Sequence, residues 1–249
     1  MTTACISACA RSGRVAPVSQ RVSTPSLEVH KIVAGVWRHV SYQHLKKWGW
    51  FPSNGLIVET SAGPLLVDTA WTTEQTRELL RWVQRRWNRL PVGVVVTHAH
   101  DDRLGGLQVT GSVGITTYMT KAVADQAHKQ NKSVPRLHII STPVVQVRDV
   151  EVFYPGGGHT ANNVVVWVPR ARVIFGGCLV KSAASRGLGN IADATLETWS
   201  ASISNVARRY PTARYVVPGH GSPADLALLD HTRALLTSWC SRHRSRCGH

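Results

Sequence analysis

Thr97-His98-Ala99-His100-Asp101-Asp102-Arg103-Leu104-Gly105-Gly106 sets three candidate metal ligands, His98, His100 and Asp102, directly behind the apolar run Val92-Gly93-Val94-Val95-Val96. In an extended segment residues two apart share a face, so His98, His100 and Asp102 point the same way if the chain stays extended through them. Gly105-Gly106 then allows a sharp turn or a close approach to another element. Imidazoles suit zinc as borderline donors, and a carboxylate two residues on serves the same ion or a neighbouring one. Alone, a His-x-His pair on a strand is ordinary. A strand, three donors and a glycine turn together point to a metal-dependent hydrolase.

Around that stretch, the 249 residues are 43% hydrophobic and 17% charged, which suits a globular chain able to bury a substantial core. No apolar run approaches the ~20 residues that span a bilayer, so the body is expected to be soluble. The formal charge is +15, from 29 Lys and Arg against 14 Asp and Glu. Those cations are scattered: Arg81, Arg85, Arg86 and Arg89 on one candidate helix, Arg170 and Arg172 in a turn, Arg208-Arg209 on another helix. Only Arg242-His243-Arg244-Ser245-Arg246 forms a cluster, and no aromatic-interleaved basic motif accompanies it, so nucleic acid is not an expected partner.

Alternation and helical periodicity order the chain. Strands are expected over 29–40 and 55–69, the second with a turn at Ser61-Ala62-Gly63-Pro64. A helix begins at Thr72 or Thr73, with Glu74 and Glu78 near its positive end and Leu79, Leu80, Val83 and Trp87 as its apolar stripe. A strand over 92–97, the ligand loop and a helix over 121–129 complete the first half. The second half repeats the idea: strands near 144–154, a hairpin over 164–175 turning at Pro169-Arg170-Ala171-Arg172, a helix over 195–209, a strand over 214–218 and a helix over 225–239. Sheets with helices outside imply an α/β layered sandwich. Residues 1–26 read as a leader or tether, 27–240 as a single domain and 241–249 as a basic tail.

Distant donors occupy the same kind of place as His98. Gly156-Gly157-Gly158-His159 follows Phe153-Tyr154-Pro155, Gly176-Gly177-Cys178 follows Val173-Ile174-Phe175, and Pro218-Gly219-His220 follows Tyr215-Val216-Val217. Four strand ends thus offer His98, His100, Asp102, His159, Cys178 and His220, enough for two zinc ions.

With Ser53-Asn54-Gly55, Leu66-Val67-Asp68-Thr69-Ala70-Trp71, Gly158-His159-Thr160-Ala161-Asn162-Asn163, Gly176-Gly177-Cys178-Leu179-Val180-Lys181, Leu188-Gly189-Asn190 and Pro218-Gly219-His220-Gly221, the chain resembles the metallo-β-lactamases from about residue 28 to 238. It is most similar to the subclass with a three-His site and an Asp-Cys-His site. The resemblance implies a four-layer αβ/βα sandwich, a monomer, and two Zn2+ ions, one on His98, His100 and His159, the other on Asp102, Cys178 and His220. It implies hydrolysis of penicillins, cephalosporins and carbapenems by a metal-bound hydroxide, and so antibiotic resistance. Asp102, Lys181 and Asn190 are the implied catalytic residues. Lys181 would pair with the substrate carboxylate, Asn190 would polarise the lactam carbonyl, and Arg186 would add a second cation. Asp68 is expected to orient the imidazoles, and Arg103 to lie under the second zinc.

Lys46-Lys47-Trp48-Gly49-Trp50-Phe51-Pro52 falls where that family has a mobile flap; Trp50 is expected on the substrate, with core packing as the rival reading. Superfamily thioesterases and nucleases commonly carry His where this chain has Arg103, and a bridging Asp where it has Cys178, which sets them aside. The resemblance also implies export to the periplasm. Ile6-Ser7-Ala8-Cys9 resembles a lipobox, which would make Cys9 an outer-membrane anchor and the only route to a membrane. Cys240 and Cys247 read either as a small disulfide loop or as two free thiols.

Overall fold

The computed structural model describes residues 27–46, 48–141 and 143–247; Cys9 and the leader of 1–26 lie outside them. Strand β1 (Glu28–Val33) pairs antiparallel with β2 (Val36–Leu45), β2 with β3 (Gly49–Thr60), and β3 with β4 (Gly63–Val67). The turn expected at residues 61–64 therefore tightens to Ser61-Ala62 between β3 and β4. From β4 the sheet turns parallel, through β5 (Gly93–Val95), β6 (Thr117–Thr120) and β7 (Leu137–Ile140), giving seven strands in chain order. A second sheet holds five strands: β8 (Val144–Val147), β9 (Val150–Phe153), β10 (Val165–Val168), β11 (Val173–Gly177) and β12 (Tyr215–Pro218).

Val-rich strands read as buried on both faces because both faces are covered. Val58, Leu65, Val67 and Val95 of the first sheet meet Val152, Val166, Phe175 and Val217 of the second in a core between the sheets. Outside the first sheet, Leu66, Val94 and Val96 pack against α1 (Thr73–Trp87), α3 (Leu107–Ser112) and α4 (Lys121–Lys129). Outside the second, Val165, Ile174 and Val216 pack against α5 (Leu196–Arg209) and α6 (Ala227–Arg242). The fold is thus the four-layer αβ/βα sandwich.

Thr72 caps α1 by accepting the Gln75 N–H at 3.2 Å, and Asn88 closes it in the left-handed region. Arg77, Arg81 and Arg85 stand exposed along its outer side and Arg89 just beyond its end, where water solvates them. Residues 241–247, read as the start of a basic tail, instead extend α6 to Arg242, make a 3-10 turn at Arg244–Arg246 and return through a Cys240–Cys247 disulfide. Cys247 is buried in the core beneath α5 and α6. No helix among the described residues is long and apolar enough to cross a membrane.

Candidate metal centre

The chain does not stay extended through the opening stretch. Strand β5 stops at Val95, residues 98–100 bend, and Asp101–Leu104 forms one helical turn, α2, with His100 in the extended conformation at its N-cap. That turn corrects the shared-face reading: it carries Asp102 away from the two histidines and into a different cluster. Gly105 and Gly106 serve close approach, because a Cβ would lie 1.9 Å from the Trp71 carbonyl oxygen and 2.0 Å from Thr76 Oγ1. The α2 segment is thereby pressed against the start of α1.

His98, His100 and His159 form one group, and Asp102, Cys178 and His220 a second; within each, the ligand atoms lie within 4.8 Å of one another. The three imidazoles meet edge to face, with ring centroids 4.8 to 5.0 Å apart. Two of them, His98 and His100, are turned by contacts behind them. Asp68 accepts from Thr97 N at 2.8 Å and from Thr97 Oγ1 at 2.9 Å, and that hydroxyl lies 3.2 Å from His98 Nδ1. The Asp68 carboxylate thus reaches His98 through Thr97, not directly. His98 Nε2 is left buried with no hydrogen-bond partner, facing the other two rings. His100 Nε2 meets Asp193 Oδ2 at 2.8 Å, turning its Nδ1 inward to 3.1 Å from His159 Nε2.

A buried nitrogen without a partner costs about 1–3 kcal/mol, and nitrogens converging on one point satisfy each other poorly. The same arrangement suits a cation. Burial, the neighbouring imidazoles and Arg103 hold His98 well below the ordinary histidine range; burial, Lys181 and His100 do the same for His159. Both rings are therefore neutral at pH 7, as metal ligands must be.

The second group is built around Arg103, which is wholly buried. Its Nη2 lies 2.7 Å from Asp102 Oδ2, 2.9 Å from Cys178 Sγ and 3.2 Å from the Gly219 carbonyl; its Nη1 donates to Asn54 O at 2.5 Å and to Asp68 Oδ2 at 3.3 Å. His220 Nδ1 meets the Pro52 carbonyl at 2.6 Å, which turns Nε2 toward Cys178 Sγ at 3.3 Å and Asp102 Oδ2 at 3.4 Å. Burial works against ionisation of Asp102, but Arg103 and His220 outweigh it and hold the carboxyl below its usual value. The Cys178 thiol, with less compensation, is pushed up to about 11 by burial.

Both groups open on one cleft of about 580 Å3, within the range of small-molecule sites. Lys181, Arg186 and Asn190 line it, with Trp48, Phe51 and Trp71 as its apolar wall. Phe51 and Trp71 also pack against His220, at 4.9 and 6.2 Å between ring centroids. Trp50 does not line the cleft: strand alternation in β3 puts it on the other face, edge-on to His44 at 5.3 Å. Two residues that the sequence did not point to take part. Asp193 lies 93 positions from the histidine it orients, and α5 ties down the glycine run, with Ser202 Oγ donating to Gly157 O at 2.7 Å.

Residues 48–220 match the family model described as the metallo-beta-lactamase superfamily. A metallo-beta-lactamase type 2 from Bacillus cereus is 40% identical over 215 residues, 86% of this chain and 84% of that protein. Among solved structures, a metallo-beta-lactamase from Pontibacter korlensis has a TM-score of 0.80 at 41% identity, covering 85% of this chain and 99% of that one. The metallo-beta-lactamase FIM-1 from Pseudomonas aeruginosa, solved in a mono-zinc form, has a TM-score of 0.82 at 36% identity over 86% of this chain and 96% of its own.

Proposed function

The chain belongs to the metallo-beta-lactamase superfamily, and from that membership we propose that it is a zinc-dependent β-lactamase. The observation that carries this reading is the pairing of two unlike donor groups with a cation in one cleft: three imidazoles, an Asp-Cys-His set, and the Lys181 ammonium beside them. His98, His100 and His159 would hold one zinc, and Asp102, Cys178 and His220 the other. Zinc so held lowers the pKa of a coordinated water toward about 7 and polarises a carbonyl.

The chain's own side chains do the rest. Lys181 binds the carboxylate that penicillins, cephalosporins and carbapenems share. Asn190 Oδ1 already accepts the Ala192 N–H at 3.1 Å, which leaves its NH2 to donate to the lactam carbonyl as charge develops there. Asp102, held by Arg103 and by Ser53 Oγ at 3.3 Å, orients the attacking water. Arg186 adds positive charge at the carboxylate end, and Trp48, Phe51 and Trp71 cover apolar substituents. The protein acts as a monomer in the periplasm, an oxidising compartment that the Cys240–Cys247 disulfide fits.

Nitrocefin turnover by the purified protein tests the activity. Turnover is expected to vanish on chelation and return with zinc, with two zinc ions per chain by elemental analysis. No turnover by protein carrying both ions would send the assignment to another hydrolase of the superfamily.

A further inference from the structure

Lys181 is only 8% exposed, yet its Nζ has no hydrogen bond or ion pair with any described residue. It lies over the face of Trp199, 5.1 Å from the ring centroid. Buried ammonium groups are ordinarily paired with a carboxylate. Here a carboxylate would neutralise the cation and compete with any anionic ligand for its N–H groups. An aliphatic neighbour would offer the charge no electrostatic compensation of its own. An indole face attracts the cation through its quadrupole and consumes none of its donors.

Trp199 is itself fixed from three sides. It is fully buried on the apolar stripe of α5 with Leu196, Ile203 and Val206. Its Nε1–H donates to the Leu179 carbonyl at 2.9 Å, within the same segment that carries Cys178 and Lys181. Its ring also lies 5.9 Å from the His159 ring. Space for the indole depends on Gly158, where a Cβ would meet Leu179 Cδ1 at 2.3 Å and Trp199 Cδ1 at 3.0 Å.

We infer that Trp199 is a positioning residue: its indole holds the Lys181 ammonium at a fixed reach from the three-histidine group while leaving all three N–H donors for a substrate carboxylate. This rests on the reading above that Lys181 takes the β-lactam carboxylate. In a rigid bicyclic substrate the carboxylate-to-carbonyl distance is set, so a fixed ammonium presents the carbonyl to the metal centre in register.

Two measurements on the zinc-loaded protein test it. In the first, benzylpenicillin and its methyl ester are compared in wild type, Trp199→Phe, Trp199→Leu, Lys181→Ala and the Trp199→Leu/Lys181→Ala double variant. Trp199→Leu is expected to raise KM for the acid roughly five- to thirtyfold with little change in kcat. The ester should be unaffected, Trp199→Phe intermediate, and the double variant no worse than Lys181→Ala. Equal losses on acid and ester, or losses additive with Lys181→Ala, would assign Trp199 to packing alone and overturn the inference. The second measurement needs neither turnover nor a variant at Trp199. In 13C-labelled protein the Lys181 Cε–H resonance, assigned by its loss in Lys181→Ala, should be displaced upfield by the indole ring current. A resonance at the ordinary lysine position overturns the inference whatever the kinetics show. An upfield resonance in protein that hydrolyses neither substrate would count against the β-lactamase reading while upholding the Trp199–Lys181 platform.

Discussion

Replacing Arg103 by alanine removes the one guanidinium that serves five acceptors: Asn54 O, Asp68 Oδ2, Asp102 Oδ2, Cys178 Sγ and Gly219 O, at 2.5 to 3.3 Å. Bulk water does not reach these acceptors in the intact fold, where Arg103 and Asp68 are wholly inaccessible and Asp102 is 6% exposed. Breaking a buried ion pair by deleting one partner costs about 3–5 kcal/mol, and at about 2–4 °C per kcal/mol for a chain of this size Tm should fall by roughly 6–20 °C. Arg103→Lys retains the charge but not the fork, so it satisfies fewer acceptors and should lose roughly 2–3 kcal/mol. Urea denaturation of chelated protein measures both variants. With zinc added the gap should narrow, since a dication in the Asp102–Cys178–His220 group supplies positive charge to the same carboxylate and thiol. Arg103→Ala within about 1 kcal/mol of wild type without metal would refute the view that this guanidinium neutralises the base of the site.

Asp193→Ala should weaken zinc at the three-histidine group by about 10- to 100-fold, read by competition with a chromophoric chelator, while circular dichroism stays unchanged; an unaltered affinity would mean that His100 needs no outer partner. Phe51→Ala should raise KM for β-lactams with apolar substituents and Trp50→Ala should not, and steady-state kinetics on both variants separate the two faces of β3. Burial lowers His39 from 6.5 to about 4. Because the unfolded chain takes up this proton first, its contribution is complete above about pH 6.5 and shrinks as pH falls toward 4, by about 3 kcal/mol at 1.36 kcal/mol per pKa unit. His39→Gln, which keeps a donor near the Asp68 carbonyl, should flatten the urea-stability profile between those limits relative to wild type, and parallel profiles would contradict the assignment.

Elements with strong periodicity and a cap were legible from sequence alone. Thr72 with the Leu79, Leu80 and Val83 stripe fixes α1, and the helix expected over 121–129 is α4 residue for residue. Short elements were not. Helix α3 is six residues with Gly111 inside it, and edge strand β7 exposes Leu137 and Ile139, so neither carries a periodic signal. All six donors of the two groups lie beside strand ends, where glycines and breaks in alternation mark them. The geometry that assorts them was not written locally. Whether Asp102 joins His98 or Cys178 depends on one helical turn, and Asp193 becomes a partner of His100 only through tertiary folding. Trp50 lies off the cleft lining by parity, since one residue along β3 decides between the cleft and the opposite face.

The unequal charges at the base of the cleft explain why the second group suits a metal. Asp68, Asp102 and Cys178 all lie within contact of a single guanidinium, so one fixed positive charge faces three groups able to carry a negative one. The shortfall is distributed by position. Asp102, 2.7 Å from Arg103, keeps its ionised form; Asp68, at 3.3 Å and wholly buried, is raised to about 7, and the Cys178 thiol to about 11. Protons thus supply the missing positive charge. A zinc ion held by Asp102, Cys178 and His220 would supply it instead, ionising the thiol as it binds and drawing Asp68 back toward its ordinary value. Arginine suits position 103 because its planar fork can face two carboxylates and a sulfur at once without entering the coordination sphere. A histidine there would add a ligand and lose the fork. Arg103, one of the two residues that set this chain apart from the thioesterase pattern, would therefore be the one that makes a buried thiolate ligand tolerable.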